Sequence, residues 1–335
     1  MTGALEVGAK FSGAGFTAVV STKPLTSRGA QVIVYDTETR HLSPDAAAEA
    51  IQHFVLHSPF IRPQFIYKKT DSTLRGNISA ELAAISKLFP HWRIGYAPAY
   101  PALGRTVKQG ILYVENVAVA QSSYGSDLLN PVSTSEIRSL LDESLDCTIF
   151  DGEYDAHVEE AARTILADDS MRVVAGPGAL AGQLAEQLAP AQRMQTPLPG
   201  IASCLILNGS RNPVSKTQVE WADAAGWTIL EPSHAPDADP VDVAYANARQ
   251  LSEAILARDP DGVFVIGGDT AFAVITALGS PVLWPIREIV AGIPISRIES
   301  GNFPRTRDLF LITKAGGFGE PDVIRRVHRE LVHGG

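Results

Sequence analysis

The 335-residue chain has only two cysteines, Cys147 and Cys204, each beside an apolar run. That argues against a disulfide framework or a cysteine-built zinc site and leaves two buried thiols. No apolar segment reaches the roughly 20 residues needed to span a bilayer. The N-terminus lacks a charged region followed by an apolar signal core. A soluble, cytoplasmic protein without a membrane partner is expected. Basic charge is scarce: Lys and Arg number 28 against 37 Asp and Glu, a net −9. No net basic surface would recruit phosphates, so nucleic acid is not an expected partner. The eight histidines are scattered without an HExxH-like spacing, and no metal-ligating residue is assigned. No Gly-x-Ser-x-Gly elbow is present, and no G-x-G-x-x-G follows a strand, which weighs against a hydrolase nucleophile and a dinucleotide fold.

What the chain does have is globular composition, 45% hydrophobic and 19% charged, and enough length for two domains. A helix with Leu5, Ala9 and Phe11 on one face comes first, ending at Gly13 to Gly15. Short strands follow at 17–21 and 31–35. The spacing then predicts a helix over 45–56, with Ser43 as cap and Pro44 in its first turn. Strands at 65–67 and 93–97 flank a helix that starts near Asn77. Residues 111–133 show no helical period and read as a long irregular excursion, a kind of loop that often carries function. Helices over 135–145, 156–167 and 179–188 alternate with strands at 147–150 and 172–175. The proline-rich stretch 190–200 reads as a linker. Beyond it, strands at 203–207, 227–230 and 262–266 alternate with helices over 213–225, 241–257 and 271–278. A strand at 309–313 and a helix over 321–332 follow, with nothing assigned between Gly279 and Leu309. His234 and Asp237 to Asp242 read as a solvated polar loop. The alternation predicts α/β architecture: two α/β domains with mainly parallel sheets, spanning 1–189 and 201–335.

One stretch concentrates chemistry. Lys68 to Asn77, KKTDSTLRGN, lies between the strand ending at Tyr67 and the next helix. Helix N-termini attract anions, and ligand sites in open α/β sheets lie at the carboxyl ends of strands. Lys69 and Arg75 could hold a carboxylate, Arg by its bidentate geometry. Asp71 could act as general base toward a hydroxyl. Arg105, on the Pro98–Gly110 loop, either closes over the same site or is a surface arginine.

The second domain has three glycine turns, each directly after a strand. They are Asn208-Gly209-Ser210, Gly267-Gly268-Asp269-Thr270, and Lys314-Ala315-Gly316-Gly317. Glycine lets backbone approach a phosphate, and a following helix start adds its dipole, so the three suggest a nucleotide cradle. Residues 209–217 have a distant likeness to a P-loop. Ser210 and Ser215 stand where that motif needs glycine, so it is rejected.

Taken in order, KKTDSTLRGNISAEL, APAYPALGRTVKQG, VVAGPGALAGQLA, LILNGSRNPVSKTQVEWA, VIGGDTAFAVITALG and ITKAGGFGEPDVI resemble the motifs of the four-carbon acid sugar kinases, a former domain of unknown function. The resemblance covers nearly the whole chain. It implies an acid-sugar domain over 1–189, an ATP domain over 201–335, and an interdomain cleft. It also implies phosphorylation of threonate, erythronate or 3-oxo-tetronate, at the terminal hydroxyl, with ATP and Mg2+. Carried over by position, Ser210, Gly267, Gly268, Asp269, Thr270 and Gly316 would contact ATP, with Gly317 in the same turn. Lys69, Asp71, Ser72 and Arg75 would bind or act on the acid. Family members usually open with a strand running into Asp-Asp-x-Thr-Gly-Ala. Here Met1-Thr2-Gly3-Ala4 stands inside that turn, without the strand or the acidic pair. A start codon placed too far downstream and a true truncation both account for this. The second leaves a further reading: a binding protein for sugar acid or nucleotide with impaired catalysis. The sequence leaves homo-oligomerisation open.

Overall fold

The computed structural model describes residues 1–25, 29–59, 63–127, 130–191, 196–222, 227–232, 239–299, 304–305 and 307–333. The solvated loop expected around His234 and Asp237 lies mostly outside them. Among the described residues, no helix is long and apolar enough to cross a membrane.

Two compact units form. One joins Met1–Lys23 and Gly29–Asp36 to Pro190–Gly335; the other holds Pro24–Arg28 and Thr37–Ala189. The chain therefore passes between units at 23–29, at 36–37 and at 189–190, not once within 190–200. The physical reason is strand pairing. Ala18–Ser21 pairs in parallel with Val32–Tyr35, and Val20 sits opposite Leu283 in an antiparallel contact. Both early strands are thus annexed by the sheet of the C-terminal half.

That sheet has eight strands in the order 227–230, 204–208, 262–266, 309–314, 293–298, 283–290, 18–21, 32–35. The first four run parallel. Alternation along each strand sends side chains to opposite faces. Leu205, Leu207, Val263, Val265 and Leu311 enter one core, which Ala248 and Leu251 of helix Pro240–Arg258, Val274 of helix Gly268–Ala277 and Leu5 of helix Thr2–Gly13 complete. Ile206, Phe264, Ile266 and Ile312 enter the other, beneath Ile324 and Val327 of helix Val323–His333. Helix Thr2–Gly13 packs so closely that a Cβ on Gly8 would lie 2.7 Å from Pro285 Cγ.

The strands Leu283–Val290 and Ile293–Ile298 form an antiparallel hairpin in the stretch where the sequence showed no element. Pro285 and Pro294 lie in it, and register shifts at Pro285/Arg287 and Glu288/Val290 break the two-residue period on which strand recognition depends.

The other unit is built on a four-stranded parallel sheet in the order 66–69, 173–176, 94–96, 147–149. Helices Pro44–Leu56, Ile78–Leu88, Asp155–Ala167 and Gly178–Leu188 accompany it. Ser43 caps the first of them, accepting from the Ala46 N–H, as its sequence predicts. The expected excursion 111–133 is partly ordered as an antiparallel meander of Arg105–Lys108, Ile111–Val114 and Val117–Ala118. The helix expected over 135–145 shrinks to Ile137–Leu140. Just beyond it, Asp142 accepts from the Ser144 N–H and hydroxyl, and its own N–H donates to Ser79 Oγ. Such local bonds compete with helix continuation.

Candidate functional site

Strand Ile66–Lys69 delivers the charged turn to the carboxyl edge of its sheet. The turn then reverses through two residues with positive φ, Leu74 at 65° and Gly76 at 92°. For a buried leucine this backbone is strained, and such strain persists only where surroundings enforce it. The enforcing contacts are polar. Arg75 Nε donates to Asp71 Oδ2 at 3.0 Å and Nη2 to Asp71 Oδ1 at 3.2 Å. Thr73 donates its hydroxyl to the same carboxylate at 2.5 Å. Arg40 approaches Asp71 Oδ1 at 3.6 Å. Burial works against ionisation of Asp71, but the charges of Arg75 and Arg40 and the hydrogen bonds from Arg75 and Thr73 outweigh it. Together they hold this carboxyl well below the usual carboxylate range.

A weak proton acceptor results, since basicity falls with pKa. In the structure Asp71, expected as a base, is paired with Arg75 and holds its guanidinium in place. Arg75 is correspondingly occupied, because Nη1 donates to Asp127 at 3.1 Å. Its guanidinium also lies 5.1 Å above the Tyr124 ring. The Tyr124 hydroxyl accepts from Arg105 Nη2 at 3.1 Å. Arg105 is therefore tied to the same cluster through Tyr124 and is not a loose surface arginine. Lys69 donates to the Thr70 carbonyl at 2.8 Å, and Ser72 is half-buried within the turn. Lys68 pairs with buried Glu81 at 2.9 Å, and Thr39 also donates to Glu81. Asn77 does not cap the following helix. Its amide donates instead to the carbonyls of Thr39 and Leu42, at 2.8 and 2.9 Å.

In the other unit the three glycine turns meet. A Cβ on Gly316 would lie 1.9 Å from Ser210 Oγ, and one on Gly209 would lie 1.9 Å from Thr270 Oγ1. The N–H of Gly267 donates to the Lys314 carbonyl at 2.9 Å, and that of Gly209 to the Ile266 carbonyl at 2.9 Å. Gly267, at φ 115°, turns the chain directly into helix Gly268–Ala277, whose first turn has no side-chain cap. Free N–H groups and a partial positive charge therefore face the turn, with exposed Asp269 and buried Thr270 in the first turn. The N-terminal helix adds Thr2, whose Oγ1 lies 3.5 Å from the Cβ position of Gly268. Gly209 and Gly316 let the three turns pack against Thr270 and Ser210, and that packing gathers these hydroxyls beside a helix start whose donors fit a nucleotide's phosphates. Among the described residues, no three His, Cys, Asp or Glu side chains gather as a metal site.

Known proteins match this layout. The family model described as a sugar-binding N-terminal domain matches residues 1–148, and that described as a nucleotide-binding C-terminal domain matches residues 241–324. A D-threonate kinase of Bordetella bronchiseptica is 29% identical over 91% of this chain and 87% of its own. The chain belongs to the four-carbon acid sugar kinase family. A 3-oxo-tetronate kinase of Methylobacterium radiotolerans is 24% identical over 76% of this chain and 78% of its own. Haemophilus influenzae protein HI1011 shares the fold, with a TM-score of 0.74 at 18% identity, over 99% of this chain and 98% of that one.

Within this four-carbon acid sugar kinase family member, the residues expected at the two sites fall into two clusters. Lys69, Asp71, Ser72, Arg75 and Arg105 belong to the Thr37–Ala189 unit, and Ser210, Gly267 to Thr270, Gly316 and Gly317 to the other. Sequence reasoning missed Arg40, Thr73, Tyr124 and Asp127. Thr73 stood in the quoted turn, and Tyr124 and Asp127 fell in the excursion flagged by its irregularity. Arg40 carried no signal, because it reaches Asp71 from a segment 31 residues earlier in the chain.

Proposed function

We propose that this protein is an ATP-dependent kinase of a four-carbon sugar acid, with a threonate-type acid as the first candidate. The observation that carries the reading is the convergence of Ser210, Thr270 and Gly316 from three separate strand ends. It occurs in a chain whose N-terminal match is to a sugar-binding domain and whose relatives are named D-threonate and 3-oxo-tetronate kinases. Lys69, Arg40 and Arg105 supply the positive charge for the acid's carboxylate. Ser72 offers a hydroxyl to its polyol chain. Asp71 keeps Arg75 oriented and adds to the field around the acceptor.

The reaction moves the terminal phosphoryl group of ATP to an acceptor hydroxyl, releasing ADP and a proton. Its transition state is loose, so positioning and charge neutralisation supply most of the acceleration. A strong base is not required, which suits a carboxylate as weakly basic as Asp71. The first-turn N–H groups at Gly268 to Thr270 and the turn at Gly316 and Gly317 hold the phosphates. Mg2+ bound with the nucleotide would neutralise phosphate charge.

The test is an ADP-release assay with D-threonate, L-threonate, D-erythronate and the 3-oxo-tetronates. Turnover with at least one is expected. Turnover with none, while calorimetry shows one of them binding, would replace this reading with a binding protein.

A further inference from the structure

Strand Leu309–Lys314 ends in a lysine with no exposed surface, 0%. Lys314 shares the strand face of Ile312, which belongs to the core beneath helix Val323–His333. Its ammonium donates to the Ala315 carbonyl at 2.7 Å and lies 4.9 Å from the centre of the Phe318 ring. An ammonium has three donors, so this leaves two uncommitted. Among the described residues no carboxylate pairs with it. No charged group contributes to its titration. Burial alone pulls it down, to about 8.

A buried cation without a counter-ion is costly, and proteins pair such charges or leave them neutral. This one sits at the foot of the Ala315–Phe318 turn, two residues before Gly316, whose Cβ position falls against Ser210. Its own carbonyl is the acceptor for Gly267. Gln218 fastens the far side of the turn, donating to the carbonyls of Phe318, Gly319 and Glu320 at 3.1, 2.7 and 3.1 Å. The turn is therefore anchored without the lysine, and the charge needs another explanation.

We propose that Lys314 is the counter-charge for the phosphate groups of the bound nucleotide, left unpaired in the protein so that the ligand completes it. This rests on the nucleotide-binding reading of the glycine turns. The ammonium exchanges its carbonyl contact for a phosphate oxygen, and Gly316 and Gly317, which follow Lys314, let the backbone yield. A lysine acting only as a brace would stabilise the turn with or without ligand and would not distinguish adenosine from ADP.

The experiment compares wild-type protein with Lys314→Met, which keeps the aliphatic volume and removes the charge. Calorimetry at pH 7.5 with adenosine, ADP and ATP is paired with thermal unfolding of the free protein. The expected result is unchanged adenosine affinity, at least tenfold weaker ADP and ATP binding, and an unfolding temperature of the free protein equal to or above wild type. Equal ADP and ATP affinity in the two proteins overturns the proposal. A loss that is the same for adenosine as for ADP also overturns it, and shows a brace. Failure of the wild type itself to bind ADP or ATP sinks the nucleotide reading instead. If the methionine variant does not fold, the wild type decides alone. Without Mg2+, its ADP affinity relative to adenosine should fall about tenfold between pH 7.5 and 9.5 as the lysine loses its proton. A flat ratio overturns the proposal.

Discussion

Arg75 grips both oxygens of Asp71, Nε on Oδ2 at 3.0 Å and Nη2 on Oδ1 at 3.2 Å. A guanidinium fork matched to a carboxylate fixes both partners in one plane. The turn Lys69–Asn77 therefore presents a preset geometry, not a set of free charges.

Asp71→Asn breaks that fork. A loss of about 1–3 kcal/mol at neutral pH is expected, the range for an ionic hydrogen bond whose partner stays behind. The folded carboxyl has a depressed pKa, so its contribution is whole above the unfolded value of about 3.9. It fades as pH falls from there toward the folded value. Denaturant unfolding from pH 7 to pH 3 checks this: the gap between wild type and variant should narrow below about pH 4. A gap constant over that range counts against the pair.

Tyr124 serves two arginines, with its ring under Arg75 and its hydroxyl accepting from Arg105. Tyr124→Phe removes only the second contact, worth about 0.5–1.5 kcal/mol, or roughly two- to tenfold in binding. Tyr124→Leu removes the ring face as well, a further loss of about 0.5–1 kcal/mol. The Michaelis constant for the acid should rise stepwise through the two variants, with that for ATP unchanged. A matching rise for ATP would show a general loss of fold.

Gly316→Ala places a methyl group 1.9 Å from Ser210 Oγ and 2.7 Å from Ser210 Cβ. Ser210 or the turn must move, an overpacking cost of about 1–3 kcal/mol. ATP affinity should drop by tenfold or more, while far-ultraviolet circular dichroism stays unchanged. Gly200→Ala is the control, because nothing lies within 4 Å of its Cβ position. Equal ATP affinity in both variants would remove Gly316 from the cradle.

Neither cysteine is poised to react. Burial pushes the Cys147 thiol up to about 12, and Cys204 is raised well above its ordinary range by burial beside Asp261. A thiol-specific disulfide reagent at pH 8 should label neither in the native protein and both after unfolding. Cys204 is buried as expected, whereas Cys147 is only half-buried. Rapid labelling of Cys204 in the native state would contradict its burial, and rapid labelling of Cys147 its raised pKa.

The sequence itself determined the alternation of strands and helices, the Ser43 cap, the turn at Lys68–Asn77 and the three glycine turns. These are local: hydrophobic period, cap chemistry and backbone freedom are properties of a few consecutive residues. The bulged hairpin 283–298 escaped because its prolines and register shifts erase the period. Only the tertiary structure decided that residues 1–23 and 29–36 join the C-terminal sheet, since pairing at Val20–Leu283 spans 263 residues. It alone brought Arg40, Tyr124 and Asp127 to the charged turn, and so set the charges and contacts around Asp71 and Arg75. Basicity depends on which charges lie within a few ångströms, and that distance is set by packing between segments far apart in the chain.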